Sequence, residues 1–255
     1  MKCVIPSAKA FYKLLNFIAQ FETNVKITCQ KAGMSVFCMS ACHSVFIDLK
    51  IDPSYYTKYE CEKDEEIGIN LAVFLAALKN GGQKDELALS TSQDHVDMDI
   101  ISESEVTKYT IKMMNIDNEN MEIPHIEEDV TLDIAPSYLK KWKSKVVDFT
   151  KASVQMTPTK LEFQLESSDD VTNGKVKVVQ HMPATNIEYV RFGQPNPITV
   201  GNKMISKAFN VGDVSDEVQI GWKNEMPIRF GAKITDYSFL NLYIAPMITD
   251  QMDED

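Results

Sequence analysis

The feature that most constrains this chain is that its second half repeats the plan of its first. VKITCQKAGMSVFCMS (25–40) is answered by ASVQMTPTKLEFQLES (152–167), an offset of 127 residues. INLAVFLAALKN (69–80) is answered by ITVGNKMISKAF (198–209) at an offset of 129, and DELALS (85–90) by DEVQIG (216–221) at 131. Identity is low, but order and hydrophobic period agree each time. A chain of 255 residues organised this way is expected to form two similar α+β domains, each with two helices packed on antiparallel sheets. The expected bounds are 1–113 and 130–255, joined by an acidic connector, 114–129, that Pro124 interrupts.

Helical spacing marks four segments. Residues 7–22 place Phe11, Leu14, Leu15, Ile18 and Phe21 on one face. Residues 70–80 offer Leu71, Phe74, Leu75 and Leu78 and end in Gly81-Gly82, a C-cap and turn signal. Residues 137–149 follow Pro136, with Ser137 as N-cap, and 199–210 carry Met204, Ile205, Ala208 and Phe209. Between them the period switches to two, as in KITCQ, MSVFC, SVQMT, KLEFQLE, GKVKVV, DEVQIGW and PIRFGAKI, the mark of half-buried strands.

Charge is segregated by element. The net charge is −11, which taken whole argues against nucleic-acid binding. Yet the four helical segments hold nine lysines, Lys9, Lys13, Lys79, Lys140, Lys141, Lys143, Lys145, Lys203 and Lys207, against only Glu22 and Asp148. The remainder carries 17 basic and 35 acidic residues. Helices sharing one side would give a basic surface for phosphates on an otherwise repelling molecule.

Other classes fit poorly. No run of about 18 apolar residues is present to span a membrane. The N-terminal stretch lacks the long apolar core and small-residue cleavage site of a secretion signal. The five cysteines, Cys3, Cys29, Cys38, Cys42 and Cys61, are therefore expected as free thiols in a reducing, intracellular compartment. Cys38, Cys42 and His43 hint at zinc, but no second ligand pair lies nearby, so no metal or other cofactor is expected. DHVDMD (94–99) could offer Asp97 and Asp99 to a nuclease metal; the favoured reading is a strand whose other face carries Val96, Met98 and Ile100. KKWKSK (140–145) could serve as a nuclear localisation run; its place on a helix favours a DNA-facing role. The terminal LYIAPMITDQMDED is a short strand that Pro246 should stop, followed by acid: a frayed end or an exposed handle.

Four segments in this order resemble one family, the DNA sliding clamps of the proliferating cell nuclear antigen type. They are GMSVFCMSACHSVFIDLKI (33–51), MEIPHIEED (121–129), EMPIRFGAKITD (225–236) and LYIAPMITD (242–250). The resemblance covers essentially the whole chain and implies a non-enzymatic ring of three subunits whose basic helices surround duplex DNA. It implies ring closure through edge strands 105–113, with Tyr109 and Ile111, and 174–180, with Lys175, Val176 and Val178. It further implies a pocket for the PIP-box peptides of DNA polymerase and other partners, formed by Met39, His43, Ser44, Val45, Phe46, Met121, Ile123, Pro124, Pro227, Ile244, Ala245, Pro246 and Ile248. A clamp loader and a nuclear or viral replication compartment follow from the same resemblance. Glu128 departs from it, standing where the connector commonly has an aromatic residue; so do Tyr12, Ala19, Ala76 and Asn210, where lysines are expected. A subunit of a mixed ring and a monomeric viral processivity factor remain the alternatives.

Overall fold

A computed structural model gives the fold. It describes residues 1–116, 128–146, 151–157, 160–168, 175–183, 187–188, 198–223 and 225–247. The chain divides into two compact units: Met1–Ile123 with Asp213–Asp216 and Ala232–Leu242, and Pro124–Gly212 with Glu217–Gly231 and Tyr243–Asp255.

The first unit contains β1 (Lys2–Ile5), α1 (Ala8–Ile18), β2 (Asn24–Gln30), β3 (Gly33–Met39), β4 (Val45–Ile51), β5 (Lys58–Glu60), β6 (Glu65–Asn70), α2 (Leu71–Leu78), β7 (Glu86–Thr91), β8 (His95–Ile101) and β9 (Val106–Lys112). One sheet runs β5-β1-β7-β8-β9 and another β4-β3-β2-β6, all antiparallel. Residues 239–242, the start of β18 (Phe239–Ile244), lie beside β4. The two helices pack on each other. Phe11, Leu14, Leu15 and Ile18 of α1 and Phe74 and Leu78 of α2 meet Ile5, Val25, Ile69 and Leu87 from the strands, all nearly inaccessible. Period-two alternation is why these strands bury every second residue.

The second unit contains β10 (Val130–Ile134), α3 (Pro136–Val146), β11 (Lys151–Thr157), β12 (Lys160–Ser168), β13 (Lys175–Pro183), β14 (Ile187–Glu188), β15 (Ile198–Gly201), α4 (Asn202–Ala208), β16 (Glu217–Trp222) and most of β17 (Ile228–Lys233). Its sheets run β14-β10-β16-β17 and β13-β12-β11-β15, and α3 packs on α4. Trp142, Phe209 and Phe230 pack in series, tilted and then edge to face, with ring centroids 5.9 and 6.0 Å apart.

The expected α+β plan is present, and the expected strands form. The helix ends differ. Ser7 caps α1 by accepting from the Ala10 amide at 3.2 Å. Asn70 does the same for α2 through the Val73 amide, so the helix begins one residue later than its pattern suggests. Ser137 is not the cap of α3: the helix begins at Pro136, whose missing N–H has no partner to lose there. Residues 198–201 are a strand rather than the start of α4, because Ile198, Thr199 and Val200 pair with β11 (Ser153 opposite Thr199) and β-branched residues favour the extended form. Gly81 and Gly82 do not take the left-handed conformation of a glycine cap; among the described glycines only Gly33 has positive φ. Gly81 is needed for space instead, since a Cβ there would lie 2.7 Å from that of Ala8.

Candidate nucleic-acid and peptide-docking surfaces

The basic surface begins with the helices. As folded, α1, α2, α3 and α4 contain no acidic residue, because Glu22 lies beyond the end of α1 and Asp148 lies outside the described residues. Lys13, Lys79, Lys140, Lys141, Lys143 and Lys203 are exposed, and Lys9 and Lys207 are half-buried. Lys145 is on α3, but its side chain is not among those described. On α3 the buried positions are Leu139 and Trp142, so the lysines between and after them turn outward. Lys143 donates to Asn210 at 2.5 Å. Lys9 sits 5.1 Å from the ring centroid of Tyr12, a cation–π contact at a position where the resemblance expects a lysine. The α2 surface is different: Ala72, Val73 and Ala76 are exposed and Lys79 alone supplies charge.

The strands named for subunit contact both lie at sheet edges. Among the described residues β9 pairs only with β8 and β13 only with β12, leaving one side of each without a partner strand there. Tyr109 is half-buried and Ile111 is buried under its own sheet, so Ile111 supports the strand from beneath. Lys175, Val176 and Val178 occupy β13.

The residues named for peptide docking belong to both units. In the first, Met39 ends β3 and Val45 begins β4, with Ser40 closing the loop between them: the Ser40 amide donates to the Val45 carbonyl at 2.8 Å and the Val45 amide to Ser40 Oγ at 3.2 Å. His43 is exposed at positive φ (53°), its Nδ1 lying 3.1 Å from Met39 Sδ. Val45 is fully buried and Phe46 half-buried. Cys42 Sγ lies 3.2 Å from Ser40 Oγ and 2.9 Å from Ser44 Oγ. Those two hydroxyls, Ser40 foremost, lower its thiol pKa to about 7, while burial pushes Cys3, Cys29 and Cys38 up to about 12. Cys38 points into the core and Cys42 to solvent, so the CMSACH run does not gather its sulfurs.

In the second unit, Ile244 is buried while Pro227, Ala245 and Pro246 are half-buried. Strand β18 ends at Ile244, as the following proline requires. The chain is still held at Met247, whose amide donates to the Thr199 carbonyl at 2.7 Å. Met121, Ile123, Pro124 and Ile248 lie outside the described residues. Glu128, at the connector's end, forms a forked ion pair with Arg229: Nε donates to Oε1, and Nη2 to Oε2 at 2.7 Å and to Gln219 Oε1 at 2.6 Å. Burial alone would lower the Arg229 pKa; the Glu128 carboxylate, helped by Tyr243 and Asp133, raises it. No local pattern signalled this pair, because its members are 101 residues apart.

The DHVDMD carboxylates are engaged by their neighbours. Asp97 accepts from Thr110 at 2.8 Å, Asp99 pairs with Lys108 at 3.1 Å, and His95 lies 2.9 Å from Asp94. Val96, Met98 and Ile100 are buried beneath them. Among the described residues no three His, Cys, Asp or Glu side chains converge as metal ligands, and no helix is long and apolar enough to cross a membrane.

Comparison with known proteins agrees with this architecture. Residues 3–122 match the family model of the proliferating cell nuclear antigen N-terminal domain. The chain is 22% identical over 254 residues to the proliferating cell nuclear antigen of Chaetomium thermophilum, covering 96% of this chain and 97% of that one. It is 24% identical over 262 residues to that of Caenorhabditis elegans, with 98% of each covered. To the DNA polymerase sliding clamp of Thermococcus fumicolans it is 24% identical over 249 residues, covering 97% and 98%. The crystal structure of the Entamoeba histolytica proliferating cellular nuclear antigen superposes with a TM-score of 0.85 at 20% identity, over 97% of this chain and 98% of that one. Over nearly its whole length the chain is similar to proliferating cell nuclear antigens and sliding clamps, and its residues 3–122 match the N-terminal domain of that family.

Proposed function

We propose that the chain is the subunit of a sliding clamp, a processivity factor that encircles duplex DNA and docks replication and repair proteins. One observation carries the reading: each unit pairs two helices that hold no acid and carry lysines along them or, for α2, at the C-terminal end, and among the described residues each unit has a sheet edge, β9 or β13, without a partner strand. An open edge is a pairing liability unless another chain covers it. Closure of three copies, β9 of one on β13 of the next, would cover both of these edges and turn the helices of clamp domains 1–113 and 130–255 towards a central hole. The lysines named above would then hold phosphates, and topology would retain the ring.

In this reading the protein has no catalytic residue and needs no cofactor. PIP-box peptides are bound by the residues that the resemblance names, in the Met39–Phe46 loop, connector 114–129, Pro227 and Ile244–Ile248. A clamp loader opens the ring, and the working compartment is the nucleus or a viral replication site. Light scattering on a sizing column over a dilution series tests the assembly. A mass near three times 28.8 kDa that persists on dilution supports the ring. A mass of 28.8 kDa throughout would favour a monomeric factor, whose hold on DNA is charge alone and fails with salt on circles and linear DNA alike.

A further inference from the structure

Within the second unit, the docking residues share a sheet face with one ion pair. Along β17, β18 and the residues that flank them, Pro227, Arg229, Tyr243 and Ala245 are half-buried, while Ile228, Phe230, Leu242 and Ile244 alternate with them and are buried. Glu128 comes onto this half-buried face from the connector's end and takes both prongs of Arg229, and Gln219 on β16 accepts from Nη2 at 2.6 Å. Gln219 Nε2 in turn donates to Asp133 at 3.0 Å. Gly221 makes the room: a Cβ there would lie 2.1 Å from Glu128 Oε2, so the carboxylate rests on the β16 backbone. The pair is not sealed, since 12% of Glu128 and 14% of Arg229 remain exposed. A carboxylate has about four lone-pair sites, and Arg229 takes one on each oxygen, so Glu128 retains acceptor capacity. An aromatic residue at 128 would offer a partner an apolar wall; Glu128 offers acceptors. An apolar group laid over the pair removes its remaining water and returns no hydrogen bond. A partner's carboxylate or phosphate would meet Glu128 as a like charge, and a lysine or arginine would meet Arg229. The group that fits is a neutral donor on an otherwise apolar side chain, the phenol of a tyrosine.

We propose that the Glu128–Arg229 pair sets partner choice at the docking surface, selecting peptides that place a tyrosine hydroxyl on Glu128 over those that place a phenylalanine ring there. The inference rests on the peptide docking proposed above. A site that hydrogen-bonds a hydroxyl rejects the analogue lacking it, because its own polar groups are then left unpaired.

The test is fluorescence anisotropy of the full chain with one labelled PIP-box peptide, in matched versions carrying tyrosine or phenylalanine at each aromatic position. At one position the tyrosine version should bind the wild type on the order of tenfold tighter than its phenylalanine counterpart. Glu128→Tyr with Arg229→Leu replaces the pair by apolar groups, a change that folded proteins often tolerate, and should bring that ratio to about one. Glu128→Gln keeps the shape, removes the charge and should cut the ratio about threefold. Gly33→Ala, which strains a turn of the first unit, should leave the ratio unchanged, because a ratio of two affinities cancels any shared loss of folded protein. Equal or tighter binding of every phenylalanine version by the wild type, or a ratio unchanged in the double variant, would overturn the proposal. Failure of the wild type to bind any version would overturn the docking reading itself.

Discussion

Replacing Glu128 by alanine should cost about 2–3 kcal/mol of stability. Glu128 and Arg229 are 12% and 14% exposed, and the carboxylate receives both prongs of the guanidinium. Removing one partner of a buried ion pair costs about 3–5 kcal/mol; here Gln219, at 2.6 Å from Nη2, and the residual solvent contact keep Arg229 partly satisfied, which lowers the figure. Gly221→Ala strikes the same pair from below, because a Cβ there would lie 2.1 Å from Glu128 Oε2. The carboxylate must then swing off Arg229. Each change should therefore consume most of what the other could, and the double variant should cost little more than the larger single. Urea unfolding at one fixed protein concentration reads this, since assembly would otherwise move the midpoint. With a slope near 2 kcal/mol/M, Glu128→Ala should shift the midpoint by about 1 M. A loss below about 0.5 kcal/mol, or full additivity of the two changes, would refute the reasoning.

Three further outcomes follow from the geometry. Gly33→Ala should destabilise by at least about 2 kcal/mol in thermal unfolding, because φ is +117° and the new Cβ would lie 2.0 Å from the Ile51 carbonyl oxygen. Iodoacetamide should label one cysteine fast, Cys42, with a rate that rises through pH 7 as its thiolate forms; Cys3, Cys29 and Cys38 should stay unlabelled in folded protein, as mass spectrometry would show. Lys141→Ala should lower the slope of log affinity against log salt for duplex DNA by about one, with no change in sequence preference.

The sequence announced the strands well, because half-buried strands write their burial as alternation: β2 and β8 bury every second residue as their patterns require. Helix ends were less legible. The run Ile198-Thr199-Val200 serves a helix face or a strand equally on period, and only its pairing with β11 decides. At α3, Ser137 and Pro136 are both acceptable starts, and the helix begins at Pro136, one residue before the serine. The basic surface was readable because charge is a property of residues. That β9 and β13 are edges was not readable from their own patterns, since an edge is defined by a neighbour that is missing; the family resemblance pointed to them. The Glu128–Arg229 pair lay beyond any local pattern, and only the mismatch of an acid at an aromatic position marked one half of it.

The strand that borders β4 is made last. Residues 239–242 belong to the first compact unit, and Ser238 Oγ accepts from the Asp52 amide across 186 residues of chain. During translation the first unit therefore leaves the ribosome with β4 bare, and its final strand follows more than 100 residues later. At about 5–20 residues per second that interval is on the order of ten seconds. For that time β4 presents a row of open backbone donors and acceptors to any nascent chain nearby, and a chaperone that shields strand edges would act there.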